Sequence, residues 1–177
     1  MDIFIKQEIP DDYKTTEKVV KRAFLHEEYS DKKEHILVNR IRKSESFIPE
    51  LSFVALNQDN EMVGHVLLSK IKIVDGDNAF DSLALAPVSV VPEQQKKGIG
   101  RQLIYSALKK AKEIGFHSVI VLGHKDYYPR FGFKPASLWG IKAPFEVPNE
   151  VFMALELTEN ALIDVQGVVH YSSAFSE

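Results

Sequence analysis

The sequence predicts a single α/β domain of the α+β kind, a mixed but mostly antiparallel sheet with flanking helices. Three observations predict it. Leu51–Leu56, Met62–Val74 and Ala79–Val90 are strand-like runs joined by the turn clusters Asn57-Gln58-Asp59-Asn60 and Asp75-Gly76-Asp77-Asn78, connections short enough to make neighbours antiparallel. After Gly98 the apolar positions Ile99, Leu103, Ile104, Ala107, Leu108, Ala111 and Ile114 recur in steps of three, four and one, a helical period that Gly115 can end. His117–Leu122 is then a short, mostly apolar run, as expected of a buried parallel strand reached by a crossover helix.

The elements follow in order. Ile3-Phe4-Ile5 reads as a first strand ended by Pro10, and Asp11 or Asp12 is expected to cap a helix carrying Val19, Val20, Ala23 and Phe24 inward. Asp31 with Glu34 has the spacing of a capping box, opening a second helix with Leu37, Val38 and Ile41 on one face. The polar link His26-Glu27-Glu28-Tyr29-Ser30 between them reads as a solvated connection. Lys70-Ile71-Lys72-Ile73 alternates as a strand with one wet face. Pro87 cannot donate to a ladder, so a bulge or an unpaired edge is expected there. Beyond Trp139 a proline-broken loop leads to a strand at Val151–Leu157, and the tail Ala161–Tyr171 offers an edge strand or hairpin. The whole of 1–177, including the segment from about 151, is expected to be one domain.

Composition limits the function classes. Apolar residues make up 45% and charged residues 27% of the chain, and the formal charge of −3 gives no case for nucleic acid or an anionic membrane as partner. The absence of cysteine excludes disulfides, thiolate metal sites and a cysteine nucleophile. No two of the six histidines stand three or four residues apart, so no metal is expected. No apolar run is long enough for a bilayer and Met1-Asp-Ile-Phe-Ile-Lys6 lacks a signal-peptide layout, so a cytoplasmic protein is expected.

The strand, turn and helix start around Val88–Ile104 suit an anion. The first turn of a helix presents N–H groups with no intrahelical partner, and the macrodipole adds partial positive charge there. Gly98 and Gly100 remove side chains that would keep an anion off those amides, while Lys96, Lys97 and Arg101 add full charges. A phosphate-binding loop of the Walker type fails, because Arg101-Gln102 follows Gly100, and a dinucleotide fingerprint fails at Leu103. Gln95-Lys96-Lys97-Gly98-Ile99-Gly100 instead resembles the Gln/Arg-x-x-Gly-x-Gly/Ala signature of the GNAT superfamily of N-acetyltransferases. Tyr128, four residues before Gly132-Phe133, matches a second feature of that superfamily, and the span from Leu83 to the tail is similar to its YhbS-like predicted acetyltransferases.

The resemblance implies a GNAT-like fold in which the two strands flanking the helix splay apart. It implies acetyl-CoA as cosubstrate, with the pyrophosphate on Gln95, Lys96, Lys97, Gly98, Ile99, Gly100 and Arg101. The pantetheine arm would lie along Val88, Ser89 and Val90, with N–H groups near Val90 polarising the thioester carbonyl. Tyr128 would protonate the leaving sulfur, and Tyr127, Phe131 and Phe133 would be packing aromatics. The acceptor would be a small-molecule or peptide amine, met first by the region around residues 26–30. Asp81, Asp126, His124, Glu27 and His26 are candidates for a base, but none is assigned and a water chain would serve. Two other readings stay open: a CoA-binding regulatory module without catalysis, and transfer of a longer acyl group. A homodimer paired through the C-terminal strand and tail is compatible with the resemblance, as is a monomer.

Overall fold

In a computed structural model, residues 2–28 and 30–176 are described. Tyr29, in the expected acceptor-side link, lies outside the described residues. The strands are β1 (Phe4–Gln7), β2 (Ser52–Leu56), β3 (Met62–Asp75), β4 (Asn78–Val90), β5 (Ser118–Leu122), β6 (Lys134–Pro135), β7 (Ile141–Lys142), β8 (Phe152–Glu156) and β9 (Gly167–His170). The helices are α1 (Tyr13–Phe24), α2 (Glu34–Arg42) and α3 (Ile99–Glu113). All the strands join one sheet, ordered β1-β2-β3-β4-β5-β8-β6, with β9 on β3 and β7 on β9.

The Gly76-Asp77 pair turns β3 into β4, with Gly76 at φ 60°, and the hairpin holds its register from Asp75↔Asn78 to Leu68↔Leu85. There the pairing steps to Val66↔Val88, so Ala86 and Pro87 together oppose Leu67. This is the bulge expected from a residue with no N–H to donate. Beyond the crossover through α3, β5 returns parallel to β4, but only Leu83↔Val119 and Ala84↔Ile120 pair. From Leu85 onward β4 parts from β5, which on its other edge pairs along its whole length with β8. The splay is therefore present, and it starts beside the bulge.

Alternation assigns each side chain to a face. Val66, Leu68, Leu83, Leu85, Val119 and Val121 pack with Leu103, Ile104, Ala107 and Ala111 of α3. Ile71, Ile73, Ala84 and Ile120 point the other way and are covered by the C-terminal segments through Ile141, Leu162 and Val169. On that side α1 and α2 set Val20, Val38 and Ile41 against Leu67 and Ala174. Leu103 and Ile104 are fully buried, each stabilising by about 1.5–3 kcal/mol relative to exposure.

Two helix starts differ from expectation. Asp12 precedes α1 without capping it; its carboxylate accepts from the Ile9 N–H at 3.0 Å and from Lys6 Nζ at 3.0 Å, closing the Pro10–Asp12 turn before the helix. Asp31 accepts from the Lys33 N–H at 2.8 Å as a local turn, and Glu34 engages Ser30, so the capping box does not form.

A buried polar cluster, invisible as a motif, ties the sheet to α2. Ser52 Oγ donates to Glu8 Oε1 at 2.7 Å and contacts His65 Nε2 at 3.0 Å, while Arg42 pairs with Glu8 and lies 4.0 Å over the Tyr13 ring. Glu8, Ser52 and His65 are each at most 3% exposed.

Candidate active site

β4 ends by placing two kinds of backbone group. The Val91 N–H donates to Val63 O at 2.9 Å, so by the alternation of the ladder Ser89 also faces β3, opposite His65. The polar backbone groups of Val88 and Val90 then point to the side that β5 has vacated. Ser89, expected on the cofactor path, is buried and is not among the residues that line the cleft there; its backbone serves the ladder.

The loop after β4 is held from three sides. Pro92–Gln94 forms a helical turn, and Arg22 of α1 reaches Glu93 at 2.6 Å. The Gln95 side chain turns back, its Nε2 donating to Val90 O at 3.0 Å. Lys96 and Gly98 then adopt left-handed backbone at φ 64° and 85°. For glycine this is free; for Lys96 it costs on the order of 1–2 kcal/mol, so the rest of the loop must enforce it. Residues alternating in this way turn successive N–H groups into one anion-binding concavity. Gly98 stands at the N-terminal cap of α3, and the Ile99, Gly100 and Arg101 amides of the first turn have no acceptor within the helix.

A cleft of about 460 Å³ opens over this helix start. Val88, Val90, Gln95 and Lys96 line it, with Gly98, Ile99, Gly100 and Arg101. Of the expected binding residues, Ser89 and Lys97 do not line it. Gln94, Tyr127 and Arg130 do, and sequence reasoning missed all three. A Cβ on Gly100 would stand 3.5 Å from the Tyr127 hydroxyl and 3.8 Å from Val90, projecting into the cleft without backbone strain. Arg130 caps the far wall, its guanidinium 4.5 Å over the Tyr127 ring and its Nε donating to Tyr127 O at 2.8 Å. Partial burial raises the Tyr127 phenol above its ordinary pKa, opposed by the charges of Arg130 and Arg101. Tyr127 is thus a wall of the cleft as well as the packing aromatic expected from sequence.

Tyr128 starts the short helical turn Tyr128–Phe131 and sits behind that wall, 8% exposed, edge-on to Tyr127 at 5.1 Å and to Phe133 at 5.7 Å. Its ring rests on the backbone just after β5: a Cβ at Gly123 would fall 2.2 Å from Tyr128 Cε2. Burial, with a smaller contribution from Tyr127, drives the Tyr128 phenol well above its ordinary pKa, so its proton stays on at neutral pH. Gly123 was also missed, since a glycine needed for close approach has no sequence signature of its own. Asp81 pairs with Lys72 seven residues before Val88, well back along β4 from the open edge. Among the described residues no three His, Cys, Asp or Glu side chains gather as metal ligands, and no helix is long and apolar enough to cross a membrane.

These features have close parallels in known proteins. Residues 11–133 match the family model for the acetyltransferase (GNAT) family. The chain is 28% identical over 174 residues to the uncharacterized N-acetyltransferase YhbS of Escherichia coli, covering 98% of this chain and 99% of that one. It is 37% identical over 119 residues to the uncharacterized N-acetyltransferase YjhQ of Escherichia coli, a match spanning 67% of this chain and 65% of the relative. The crystal structure of Escherichia coli YhbS in complex with CoA superposes with a TM-score of 0.88 at 26% identity, over 99% of this chain and 92% of that one. A GNAT family acetyltransferase from Brucella melitensis in complex with acetyl-CoA gives 0.80 at 32% identity, over 98% of each chain. With its splayed strand pair and its glycine-capped helix start, the chain belongs to the acetyltransferase (GNAT) family.

Proposed function

We propose that this N-acetyltransferase holds acetyl-CoA in the cleft over α3 and passes the acetyl group directly to a primary amine of a small molecule or peptide. One observation carries the reading: the left-handed turn at Lys96 and Gly98, the open first turn of α3 and the edge of β4 that β5 leaves at Val88 and Val90, where the Gln95 side chain holds the Val90 carbonyl, all border one cleft. The CoA and acetyl-CoA complexes of the two structural relatives support it.

In this reading the amides of 98–101, with Lys96 and Arg101, take the pyrophosphate, and Lys97 adds charge from the rim. The pantetheine amides pair with the Val88 backbone as an added strand would, and with the Val90 carbonyl in place of the Gln95 side chain that holds it without cofactor. The Val90 N–H faces the thioester oxygen and stabilises the oxyanion as the amine nitrogen attacks the carbonyl carbon. Collapse breaks the C–S bond; the thiolate takes the proton of the Tyr128 hydroxyl, which must reach it past Tyr127, and the phenolate is reprotonated by the proton that the amine releases through water. An alkylammonium of pKa about 10.4 is neutral only about once in a few thousand molecules at neutral pH, so removing that proton is part of the barrier. No protein nucleophile is needed, which suits a chain without cysteine.

The test is thermal melting with and without acetyl-CoA on the parent and on Gly100→Leu. A ligand at about a hundred times its Kd stabilises the native state by ~2.7 kcal/mol, or about 5–10 °C for a chain of this size. The shift is expected in the parent and lost in the variant, whose side chain fills the cleft between Tyr127 and Val90. No shift in the parent, or an undiminished shift in Gly100→Leu, refutes the placement.

A further inference from the structure

A second cleft borders β4 and β5. On the face away from α3, a separate cleft of about 300 Å³ lies over the point where their pairing ends at Ala84↔Ile120. Its floor includes Ala86 and Leu122, and its walls are Phe145, Tyr171 and Phe175 from the C-terminal third of the chain. Phe145 and Tyr171 lie nearly parallel with centroids 6.3 Å apart, and Tyr171 meets Phe175 at 5.1 Å. Leu122 and Phe145 are 47% and 46% exposed, large apolar groups left facing solvent at the mouth. Tyr171 is the one titratable side chain among the described lining residues, and none is a carboxylate.

We infer that this cleft receives the acceptor, and that the acceptor is a primary amine carrying an aromatic or branched apolar group next to the reacting nitrogen. The inference rests on the function proposed above and adds the substrate class. Neighbouring stretches of β4 line the two clefts, Val88 and Val90 on the donor side and Ala84, Leu85 and Ala86 on this one, with no β5 pairing past Ala84. An amine seated here therefore approaches a thioester on Val90 through the opening in the sheet.

The lining chooses the amine. An apolar cavity of ~150 Å³ can accept a benzene ring, so about 300 Å³ is room for an aryl group and its short arm. Three rings at stacking distances offer faces and edges to it. With no carboxylate lining the cleft, an ammonium finds no counter-charge, so the neutral and nucleophilic form of the amine is favoured. A second cationic group on the acceptor would meet ring faces but no counter-charge and would lose hydration, a poorer match to this lining than an apolar group, which disfavours polyamines. Burial holds the Tyr171 phenol up at about 12, keeping its hydroxyl as an uncharged polar handle beside the rings.

The experiment measures thiol release from acetyl-CoA with 2-phenylethylamine, the dipeptide Phe-Ala and spermidine, on the parent and on Leu122→Asp, with acetyl-CoA melting shifts recorded for both proteins. The expected kcat/KM is about ten-fold or more higher for at least one aromatic amine than for spermidine. Turnover of 2-phenylethylamine alone assigns a free arylalkylamine; turnover of Phe-Ala alone assigns an apolar peptide N-terminus; both together support the shared chemistry. In Leu122→Asp the KM for the aromatic amine should rise about ten-fold or more while the KM for acetyl-CoA stays put. Should that variant melt poorly, Phe145→Ala, half exposed in the parent, repeats the test. Preference for spermidine, an unchanged aromatic-amine KM in both variants, or an acetyl-CoA melting shift with no turnover of any aromatic amine overturns the inference. Loss of the acetyl-CoA shift in the parent overturns the donor site itself and this inference with it.

Discussion

Lowering the pH should weaken the fold through one residue, His65, and by an amount its surroundings set. The imidazole is fully buried, and burial lowers its pKa from 6.5 to about 4; the Glu8 carboxylate opposes that shift and the Arg42 charge adds to it. Ser52 Oγ, at 3.0 Å from Nε2, is its hydrogen-bonding neighbour. Because the folded-state pKa lies below the unfolded one, the unfolded chain binds the extra proton first. The stability held by neutral His65 is therefore complete above about pH 6.5 and is lost as the pH falls toward 4. The full gap corresponds to about 3 kcal/mol, of which roughly 2 kcal/mol goes between about pH 7 and pH 5. Urea unfolding of the parent and of His65→Gln, across that range, isolates the contribution. Glutamine keeps a polar contact for Ser52 but does not titrate, so the two stability curves should converge by about 2 kcal/mol on acidification. Parallel curves, or an NMR titration of His65 with a midpoint near 6.5, would refute the reasoning.

Two further outcomes concern the phenols and the glycine behind them. Tyr128→Phe should lower kcat by roughly 10²-fold with little change in acetyl-CoA KM, as for loss of a general acid, whereas Tyr127→Phe should mainly raise the acetyl-CoA KM; equal and small effects from both would remove Tyr128 from the chemistry. Gly123→Ala should displace the Tyr128 ring, because the added Cβ would sit 2.2 Å from Cε2. Steady-state kinetics should then show a lowered kcat with the acetyl-CoA melting shift retained, and an unaltered kcat would mean that the ring position does not matter.

What was legible in the sequence is what short-range rules govern. The hairpin at Gly76-Asp77 and the period of α3 are written in residues a few positions apart, and both stand where expected. The bulge at Pro87 followed from a missing donor, and the turn into α3 from the glycine at its start. Long-range assembly was not legible. Glu8, Arg42, Ser52 and His65 come from four separate segments, and no local pattern announces that they meet. Which of two adjacent tyrosines faces the cleft depends on how a short turn is rotated, which spacing does not encode; Tyr127 lines it and Tyr128 lies behind. Asp12 and Asp31 mislead for a related reason: a short carboxylate can satisfy a turn N–H instead of a helix one, and both do so here. The tail was expected as an edge strand or hairpin, but β9 lies between β3 and β7, antiparallel to one and parallel to the other.

That placement of β9 has a bearing on how the protein can change over generations. The cleft over α3 is built from one continuous length of chain, residues 88–130, whereas Phe145, Tyr171 and Phe175 arrive later and are moored by β9 to the far half of β3. If the two clefts serve donor and acceptor as proposed, inherited substitutions in the last third would reshape what is acetylated without disturbing how the acetyl group is delivered. Under that proposal a lineage built this way would explore new acceptors one ring at a time, with the cleft over α3 intact throughout.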